Sequence, residues 1–274
     1  MSGYQDIIYQ VDGPIGRIVI NRPARLNALR IPQTVDELGA ALDEADRNQE
    51  LRVLVITGAG DRAFSTGFDL GEPGAWPASD AAWYEMTKAN FRALMRIWDL
   101  RQPVIAAVNG LAIAAGANLA LVCDLTIAAD TASFGEPEVR HLALSPLLLL
   151  PWLTFNKALH ELYYTGDTIP AQRAAELGLV NRVVPADQLE QETMRLAQRI
   201  ALVPPLALEL TKRTIKKTYE IMGLRDALDW HRMADTFLLA ASTPEKEALL
   251  RHLREGGMRA FLEARDKPFR DDRG

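Results

Sequence analysis

The strongest constraint on the fold is an alternation of short β-branched runs with longer stretches of helical periodicity over the first two thirds of the chain. Residues 53–57 and 104–108 predict buried strands. Residues 31–48 and 83–98 predict amphipathic helices, because their apolar residues recur every three to four positions. Strands that are connected through helices pair in parallel, so the sequence predicts an α/β fold.

The pattern changes after Pro185, where helical stretches follow one another without a strand between them. The predicted helices cover residues 187–203, 205–219, 224–241, 243–254 and 258–264. Apolar helices of this kind more often serve packing or oligomer formation than catalysis. We therefore expect a catalytic core in residues 1–200 and a helical oligomerisation region in residues 201–274.

Composition excludes several classes of function. A chain of 274 residues can bury a core without disulfides, and its single cysteine, Cys123, excludes internal ones. The four histidines show no metal-binding spacing, so no metal is expected. A net charge of −5 without a basic block argues against a nucleic-acid partner. The sequence shows neither the features of a signal peptide nor an uninterrupted apolar span, so we expect a cytoplasmic location and no membrane insertion.

Two loops that are rich in small residues follow predicted strands. One is residues 63–70, AFSTGFDL, and the other lies within residues 108–119, VNGLAIAAGANL, where a strand leads through a turn into a helix. Small side chains let another molecule approach backbone N–H groups, and a helix N-terminus adds a partial positive charge. Two such loops facing each other predict an oxyanion hole, although tight packing of strand against helix explains small residues equally well.

Four segments in order give the chain a family resemblance. They are residues 20–29 (INRPARLNAL), 63–70 (AFSTGFDL), 108–124 (VNGLAIAAGANLALVCD) and 134–138 (FGEPE). Together with residues 178–185 and 260–265, they resemble the enoyl-CoA hydratase/isomerase (crotonase) superfamily. The resemblance implies a core of ββα turns arranged in a spiral, with C-terminal helices that assemble trimers or dimers of trimers. It also implies an acyl-CoA thioester as substrate and no separate cofactor, because coenzyme A arrives with the substrate.

By the same resemblance, two backbone N–H groups hold the thioester oxygen while an enolate forms. Their positions in this chain are Phe68 and Ala115. The family usually has glycine where this chain has Ala115. An alanine donates the same N–H provided that its φ is negative, so we expect the oxyanion hole to be present.

The acidic residues bear on the reaction. Family hydratases carry two glutamates, of which Glu138 is the second and Asn118 occupies the position of the first. An amide orients a water or a carbonyl but does not accept its proton, so Asn118 argues against hydration by two carboxylates. A single Glu138 suffices for isomerisation, since it can remove a proton from one carbon and return it to another. A lyase or hydrolase of the same superfamily, and an acyl-CoA-binding protein that has lost catalysis, remain alternatives.

Three neighbours of Glu138 carry expectations of their own. Glu136 is expected to be solvated or to cap a turn. Arg140 either pairs with Glu138 and lowers its pKa or points outward, and His141 either relays protons or points outward. The outward orientation is favoured for both.

The resemblance also implies contacts with coenzyme A. Arg25 is the candidate for a phosphate, with Ala24 and Leu26 beside it, and Phe261 of a neighbouring subunit would stack near the adenine. At the position where the family usually has a lysine that contacts coenzyme A, this chain has Ala264. Arg265 or Lys267 is therefore expected to replace that lysine. The acyl pocket is expected to use residues 76–98 and 142–152. The remaining candidates for substrate binding are Ala63, Ser65, Gly67, Phe68, Asp69, Leu70 and Gly116.

Overall fold

The computed structural model describes residues 3–72, 75–154 and 157–270. Within these ranges a larger sheet has the strand order β1-β2-β3-β5-β7-β10. Its strands are β1 Ile7–Asp12, β2 Ile15–Ile20, β3 Val53–Gly58, β5 Val104–Val108, β7 Leu125–Ala129 and β10 Arg182–Val184. A smaller sheet has the order β4-β6-β8-β9. Its strands are β4 Ala63–Ser65, β6 Leu111–Ile113, β8 Ser133–Gly135 and β9 Thr168–Pro170.

The two sheets are built by a repeated ββ unit. Strands β3, β5 and β7 of the larger sheet are each followed after a short loop by a strand of the smaller one, β4, β6 and β8 respectively. Strands β3, β5 and β7 pair in parallel within the larger sheet, and strands β4, β6 and β8 pair in parallel within the smaller one. This is possible because the chain crosses back to the same end of the sheets before each new ββ unit begins. The loops between paired units therefore stack on one another, and the predicted α/β spiral is confirmed.

Helices cover the sheets. They are α1 Gln33–Arg47, α2 Asp80–Asp99, α3 Ala115–Leu121, α4 Leu150–Leu153, α5 Ala158–Thr165, α6 Ala171–Glu176, α7 Leu189–Ala201, α8 Pro205–Ile221, α9 Leu224–Ala240 and α10 Pro244–Asp266. A short 3₁₀ segment, Pro137–His141, follows β8. Strand β3 is buried along its whole length because helices and sheet enclose it, which explains its largely apolar sequence.

The C-terminal helices fold back over the core of their own chain. Helix α9 packs along α2, and α10 packs against the 3₁₀ segment. Gly257, with φ +69°, breaks α10 between the two helices that the sequence predicts for this region. The division of the chain at residue 200 stays a prediction. No helix within the described ranges is both long enough and apolar enough to cross a membrane.

Candidate active site

A cavity of about 510 Å³ lies where the spiral loops meet the C-terminal helices. Its walls come from the loop after β2, the loop after β4, α2, the start of α3, the 3₁₀ segment, α9 and α10. Exposed Arg25 and Arg62 lie at its outer part, and buried Glu138 and Asp235 lie further in. It is lined mostly by apolar groups, as a small-molecule site usually is.

Two backbone N–H groups with no acceptor border this cavity. Among the described residues, neither the Phe68 nor the Ala115 amide donates a hydrogen bond, and both residues line the cavity. Ala115 opens α3, so its N–H has no intrahelical acceptor. Its φ is not positive, which meets the condition under which an alanine can donate here. The pair can serve as donors to one oxygen atom.

The loop that carries Phe68 is fixed by backbone pairing. The Leu29 amide donates to Gly67 O at 2.7 Å, and the Asp69 amide donates to Leu29 O at 2.9 Å. Gly67 has φ +85°, a conformation that favours glycine. In this parallel pairing the Phe68 N–H points away from Leu29, and Phe68 lines the cavity.

The helix that carries Ala115 packs closely on the same loop. A Cβ added to Gly116 would lie 2.1 Å from Ser65 O, so only glycine allows this approach. The adjoining Ala114 has φ +57° and ψ −133°, a strained combination for a residue with a side chain. The sequence motif therefore carries its strain at Ala114, whereas Ala115 is in ordinary helical geometry.

Glu138 is buried in the cavity wall. Its side chain lies in the 3₁₀ segment and is 6% exposed, and neither carboxylate oxygen has a hydrogen-bond partner among the described residues. Burial, followed by the nearby Glu136 charge, raises the pKa of Glu138 well above its usual range. A carboxyl group of this kind is a stronger base than an exposed one and suits proton transfer to and from carbon.

The expectation that Glu136 is solvated or capping is wrong. Its side chain is 6% exposed and points inward among Asn118, Ser145 and Tyr163. Burial raises the pKa of Glu136 to about 7, against the opposing effect of those polar neighbours. The alternation of a short strand agrees with the inward direction, because Glu136 directly follows β8 and lies two positions after the buried Phe134.

The outward orientation expected of Arg140 and His141 is also wrong. Arg140 bonds Asp167 Oδ1 at 2.6 Å and stacks on the Phe269 ring at 4.0 Å, so it does not pair with Glu138. His141 is buried, and burial lowers the pKa of its imidazole to about 3. A ring that stays neutral near pH 7 is a poor proton relay, and its contact with the Phe261 ring at 6.0 Å indicates a packing role.

Asn118 lies on α3 one turn beyond Ala115, but outside the cavity lining. It is fully buried, and its Oδ1 accepts hydrogen bonds from Ser145 Oγ at 3.0 Å and from Leu147 N at 2.9 Å. Its contacts anchor the loop after the 3₁₀ segment. A direct role of Asn118 in catalysis stays a prediction.

The other predicted binding residues divide into two groups. Those that line the cavity are Ala24, Arg25, Leu26, Phe68, Asp69 and Leu70. Those outside its lining are Ala63, Ser65, Gly67, Gly116 and Phe261. Of the second group, the first four are buried in or next to the two segments that carry Phe68 and Ala115.

Phe261 differs from the expectation of a contact made across subunits. Its ring is 1% exposed and packs against the rings of Trp76 at 6.0 Å and His141 at 6.0 Å in its own chain. The break at Gly257 redirects α10 over the cavity, which places Met258, Leu262 and Arg265 in its wall. Of Arg265 and Lys267, Arg265 thus lines the cavity, and its substitution for the missing lysine stays a prediction.

The sequence reasoning missed three charged residues of the cavity wall. Arg62 lies at the outer part, and Arg232 and Asp235 of α9 lie at the α2–α9 contact. A signal existed for Asp235, because it continues the buried face of α9 formed by Leu224, Leu228 and His231. A carboxyl at a core position of an amphipathic helix is a recognisable mark of a functional site.

Comparison with known proteins identifies the family. The enoyl-CoA hydratase/isomerase family model matches residues 11–272. The chain belongs to the enoyl-CoA hydratase/isomerase family. A crotonyl-CoA hydratase of Syntrophomonas wolfei is 34% identical, over 97% of this chain and 98% of the relative. A carnitinyl-CoA dehydratase of Citrobacter koseri is 38% identical over 76% of this chain and 79% of the relative. A crystal structure of an enoyl-CoA hydratase/isomerase from Xanthobacter autotrophicus Py2 has a TM-score of 0.93 and 38% identity, and covers 97% of this chain and 98% of that one.

Membership of the enoyl-CoA hydratase/isomerase family is consistent with an acyl-CoA thioester as substrate. The cavity can stabilise an enolate oxygen through two N–H donors and can move a proton through Glu138. An amide at position 118 departs from the two-glutamate pattern of the resemblance, and its side chain is occupied by the loop at Ser145.

Proposed function

We propose that this chain transfers a proton within an unsaturated acyl-CoA, and that it moves the double bond rather than adding water by means of two carboxylates. One observation carries the proposal. The two unpaired N–H groups and Glu138 line one cavity, whereas the amide of Asn118 lies outside its lining.

The proposed reaction has two proton transfers. Glu138 takes a proton from the carbon next to the thioester carbonyl, so that a C–H bond breaks and an enolate forms. The amides of Phe68 and Ala115 donate to the enolate oxygen, and each such donor typically contributes about 2.7–4 kcal/mol to the transition state. The protonated Glu138 then returns its proton to the far end of the former double bond, which leaves the double bond conjugated with the carbonyl.

The same proposal assigns coenzyme A to the outer part of the cavity. Arg25 and Arg62 are exposed there, and neither forms an ion pair among the described residues. Ala24 and Leu26 flank Arg25 and also line this part of the cavity, where the coenzyme A part of the substrate would bind. In a protein with a net charge of −5, a few placed cations, not a basic surface, would hold the phosphates.

A homo-oligomer, a trimer or a dimer of trimers, is part of the proposal. Large apolar side chains on and around α8 and α9 are exposed: Leu202, Leu206, Ile221, Trp230 and Phe237. An apolar surface of this extent is typical of a protein interface. Light scattering after gel filtration tests this, and a monomer at micromolar concentration contradicts it.

The catalytic proposal is tested with a panel of 2-enoyl-, 3-enoyl- and aryl-acyl-CoAs and identification of the products by mass. We expect 3-enoyl-CoAs to give 2-enoyl-CoAs of unchanged mass. Glu138→Gln should reduce the rate at least about a thousandfold, since it removes a general base and acid. Glu50→Gln is the matched control, because Glu50 is exposed and lies outside the cavity lining.

Each other outcome has a definite meaning. A product heavier by one water from 2-enoyl-CoAs, formed faster than any isomer, contradicts the preference for isomerisation. Shortened acyl products point to a lyase or hydrolase. Tight binding without turnover, unchanged in Glu138→Gln, indicates an acyl-CoA-binding protein and overturns the proposal.

A further inference from the structure

The inner end of the cavity, at the contact between α2 and α9, is polar. Asn90 of α2 is 5% exposed, Asp235 of α9 is 6% exposed, and the Arg232 side chain of α9 is 12% exposed. All three line the cavity. We call these three residues the polar seam. A plain hydrocarbon chain would leave their polar atoms without partners, at a considerable cost in free energy.

Arg232 has a donor without an acceptor. Its Nη1 is enclosed and makes no hydrogen bond with any residue that the structure describes. The rest of the guanidinium is placed by Asp229 Oδ1, 3.7 Å from Nε, and by the Tyr84 ring, whose centroid is 5.1 Å from Cζ. The side chain is therefore held in position while the hydrogen-bonding capacity of Nη1 stays unused by the residues that the structure describes.

Asn90 and Asp235 add further unused hydrogen-bonding capacity. Asn90 Oδ1 is enclosed and has no hydrogen-bond partner in the described part of the chain, and the side-chain amide of Asn90 offers both a donor and an acceptor. Asp235 Oδ1 accepts from Leu144 N at 2.8 Å, and its Oδ2 has no hydrogen bond within the described ranges. A hydrogen bond of 2.7 Å between Thr87 Oγ1 and Thr236 Oγ1 joins α2 and α9 beside them, so the polar seam lies on a fixed helix pair.

The charges around the polar seam favour a neutral ligand group. Arg232 is already paired with Asp229, and Lys246 of α10 bonds the carbonyl of Leu239. A substrate carboxylate would come close to the carboxyl groups of Asp235 and Glu138, and a cationic group would meet Arg232. A neutral oxygen accepts from Arg232 or Asn90, and a hydroxyl can also donate to Asp235.

We propose that the polar seam is an acyl subsite that recognises a neutral oxygen function, a hydroxyl or a carbonyl, on the acyl group of the substrate. This proposal rests on the proposed function, since it needs an acyl-CoA in the cavity. A site built to bond a polar group discriminates strongly against the analogue that lacks it, because buried polar groups are then left unpaired.

The test compares four 3-enoyl-CoAs of equal chain length whose chain ends carry a methyl, a hydroxyl, a ketone or a carboxylate. We expect kcat/KM for the hydroxyl or ketone substrate to exceed that for the methyl substrate by about a hundredfold or more. Arg232→Met, which keeps the length of the side chain, should abolish most of this preference, because kcat/KM falls more for the oxygenated substrates than for the methyl substrate. Asn90→Leu is a second variant of similar size, and Arg251→Met, at an exposed position of α10 outside the cavity lining, is the control.

Three results would overturn the subsite. They are equal turnover of the methyl and oxygenated substrates, a preference for the carboxylate, and an equal loss on all substrates in a folded Arg232→Met protein. If no substrate is turned over, the proposed function fails, and the subsite is then tested separately by calorimetry with the saturated acyl-CoAs. Tighter binding of the hydroxyl or ketone ligand to the wild type, lost in Arg232→Met, supports it; equal affinities reject it.

Discussion

The backbone of Ala115 closes the space beside Gly67. A Cβ built on Gly67 would lie 3.1 Å from the Ala115 amide nitrogen and 2.8 Å from the Cβ of Ala114. The loop that presents the Phe68 N–H and the helix that presents the Ala115 N–H are thus in direct contact. The distance between the Phe68 and Ala115 N–H groups therefore depends on residue 67 being a glycine.

Gly67→Ala should therefore separate the two donors. The added methyl group meets backbone on the Ala115 side, and the φ of +85° strains any residue with a side chain. Since the loss of one oxyanion donor costs about 10²–10³ in kcat, we expect a fall in that range. Steady-state kinetics on the substrate identified in the panel would measure it.

Gly39→Ala provides the control for this change. Gly39 lies within α1, and a Cβ there meets no atom within 4 Å. Activity should be unchanged and the free energy of unfolding should rise by about 0.5–1 kcal/mol. Wild-type kcat in a folded Gly67→Ala protein would show that the two amides do not act as a pair.

Ala114→Gly should stabilise the protein. The strained φ and ψ of Ala114 cost of order 1–3 kcal/mol, which a glycine would relieve. Glycine also makes the unfolded chain more flexible, and this offsets about 0.5–1 kcal/mol of the relief. A net gain of about 1 kcal/mol is expected in urea unfolding. Ala40→Gly, on the exposed face of α1, should have the opposite sign, and a destabilised Ala114→Gly protein would mean that the strain is absent.

The fold was largely predictable, because its strands and helices have clear periodicity. Strand β5 is apolar throughout and β3 nearly so, and the helical spacing in α2 and α9 is regular. The site was predictable only in part. Phe68, Ala115 and Glu138 follow from local motifs, whereas their neighbours come from distant segments. Asp235 reaches the cavity because α9 packs on α2, a contact that no local pattern encodes.

Burial explains why two predictions near Glu138 were wrong, the exposure of Glu136 and the outward orientation of Arg140 and His141. A charged residue in a loop with proline suggests exposure, but the loop of Glu136 and Arg140 is covered by α5 and α10. Arg140 is satisfied by Asp167 and Asp266, which follow it by 27 and 126 positions. Partners so far along the chain cannot be read from local sequence, so neither the burial nor the ion pairs could be anticipated.

Glu136→Gln should shift the pH dependence of catalysis. Glu138 acts as a base in its charged form, so kcat/KM rises as the pH rises through its pKa. The charge of Glu136 raises the pKa of Glu138, as does that of Asp235, while Arg265 lowers it. Removal of the Glu136 charge lowers this pKa and should move the acid limb of the profile to lower pH by about one unit.

The same substitution should change stability in a defined pH window. The pKa of Glu136 is about 7 in the folded protein, against 4.5 for an unperturbed carboxyl. Between these two pH values the folded state therefore keeps a proton on Glu136 that the unfolded state has lost. Stability contributed by this group therefore falls as the pH rises from 4.5 to about 7, and Glu136→Gln should flatten that fall. Melting temperatures across this range would show it. Unchanged pH profiles of both activity and melting would contradict the coupling, and Glu50→Gln should leave both as in the wild type.

At the outer part of the cavity, Arg25 and Arg62 are exposed and form no ion pair with any residue that the structure describes. If they hold the phosphates of coenzyme A, then Arg25→Ala and Arg62→Ala should each raise KM by about three- to tenfold with kcat nearly unchanged, since they bind substrate and transition state equally. The effect should shrink as the salt concentration rises, because these charges face solvent. Arg47→Ala, an exposed arginine at the end of α1, is the control. A loss in kcat at constant KM would place these arginines in the chemical step and not in the binding of coenzyme A.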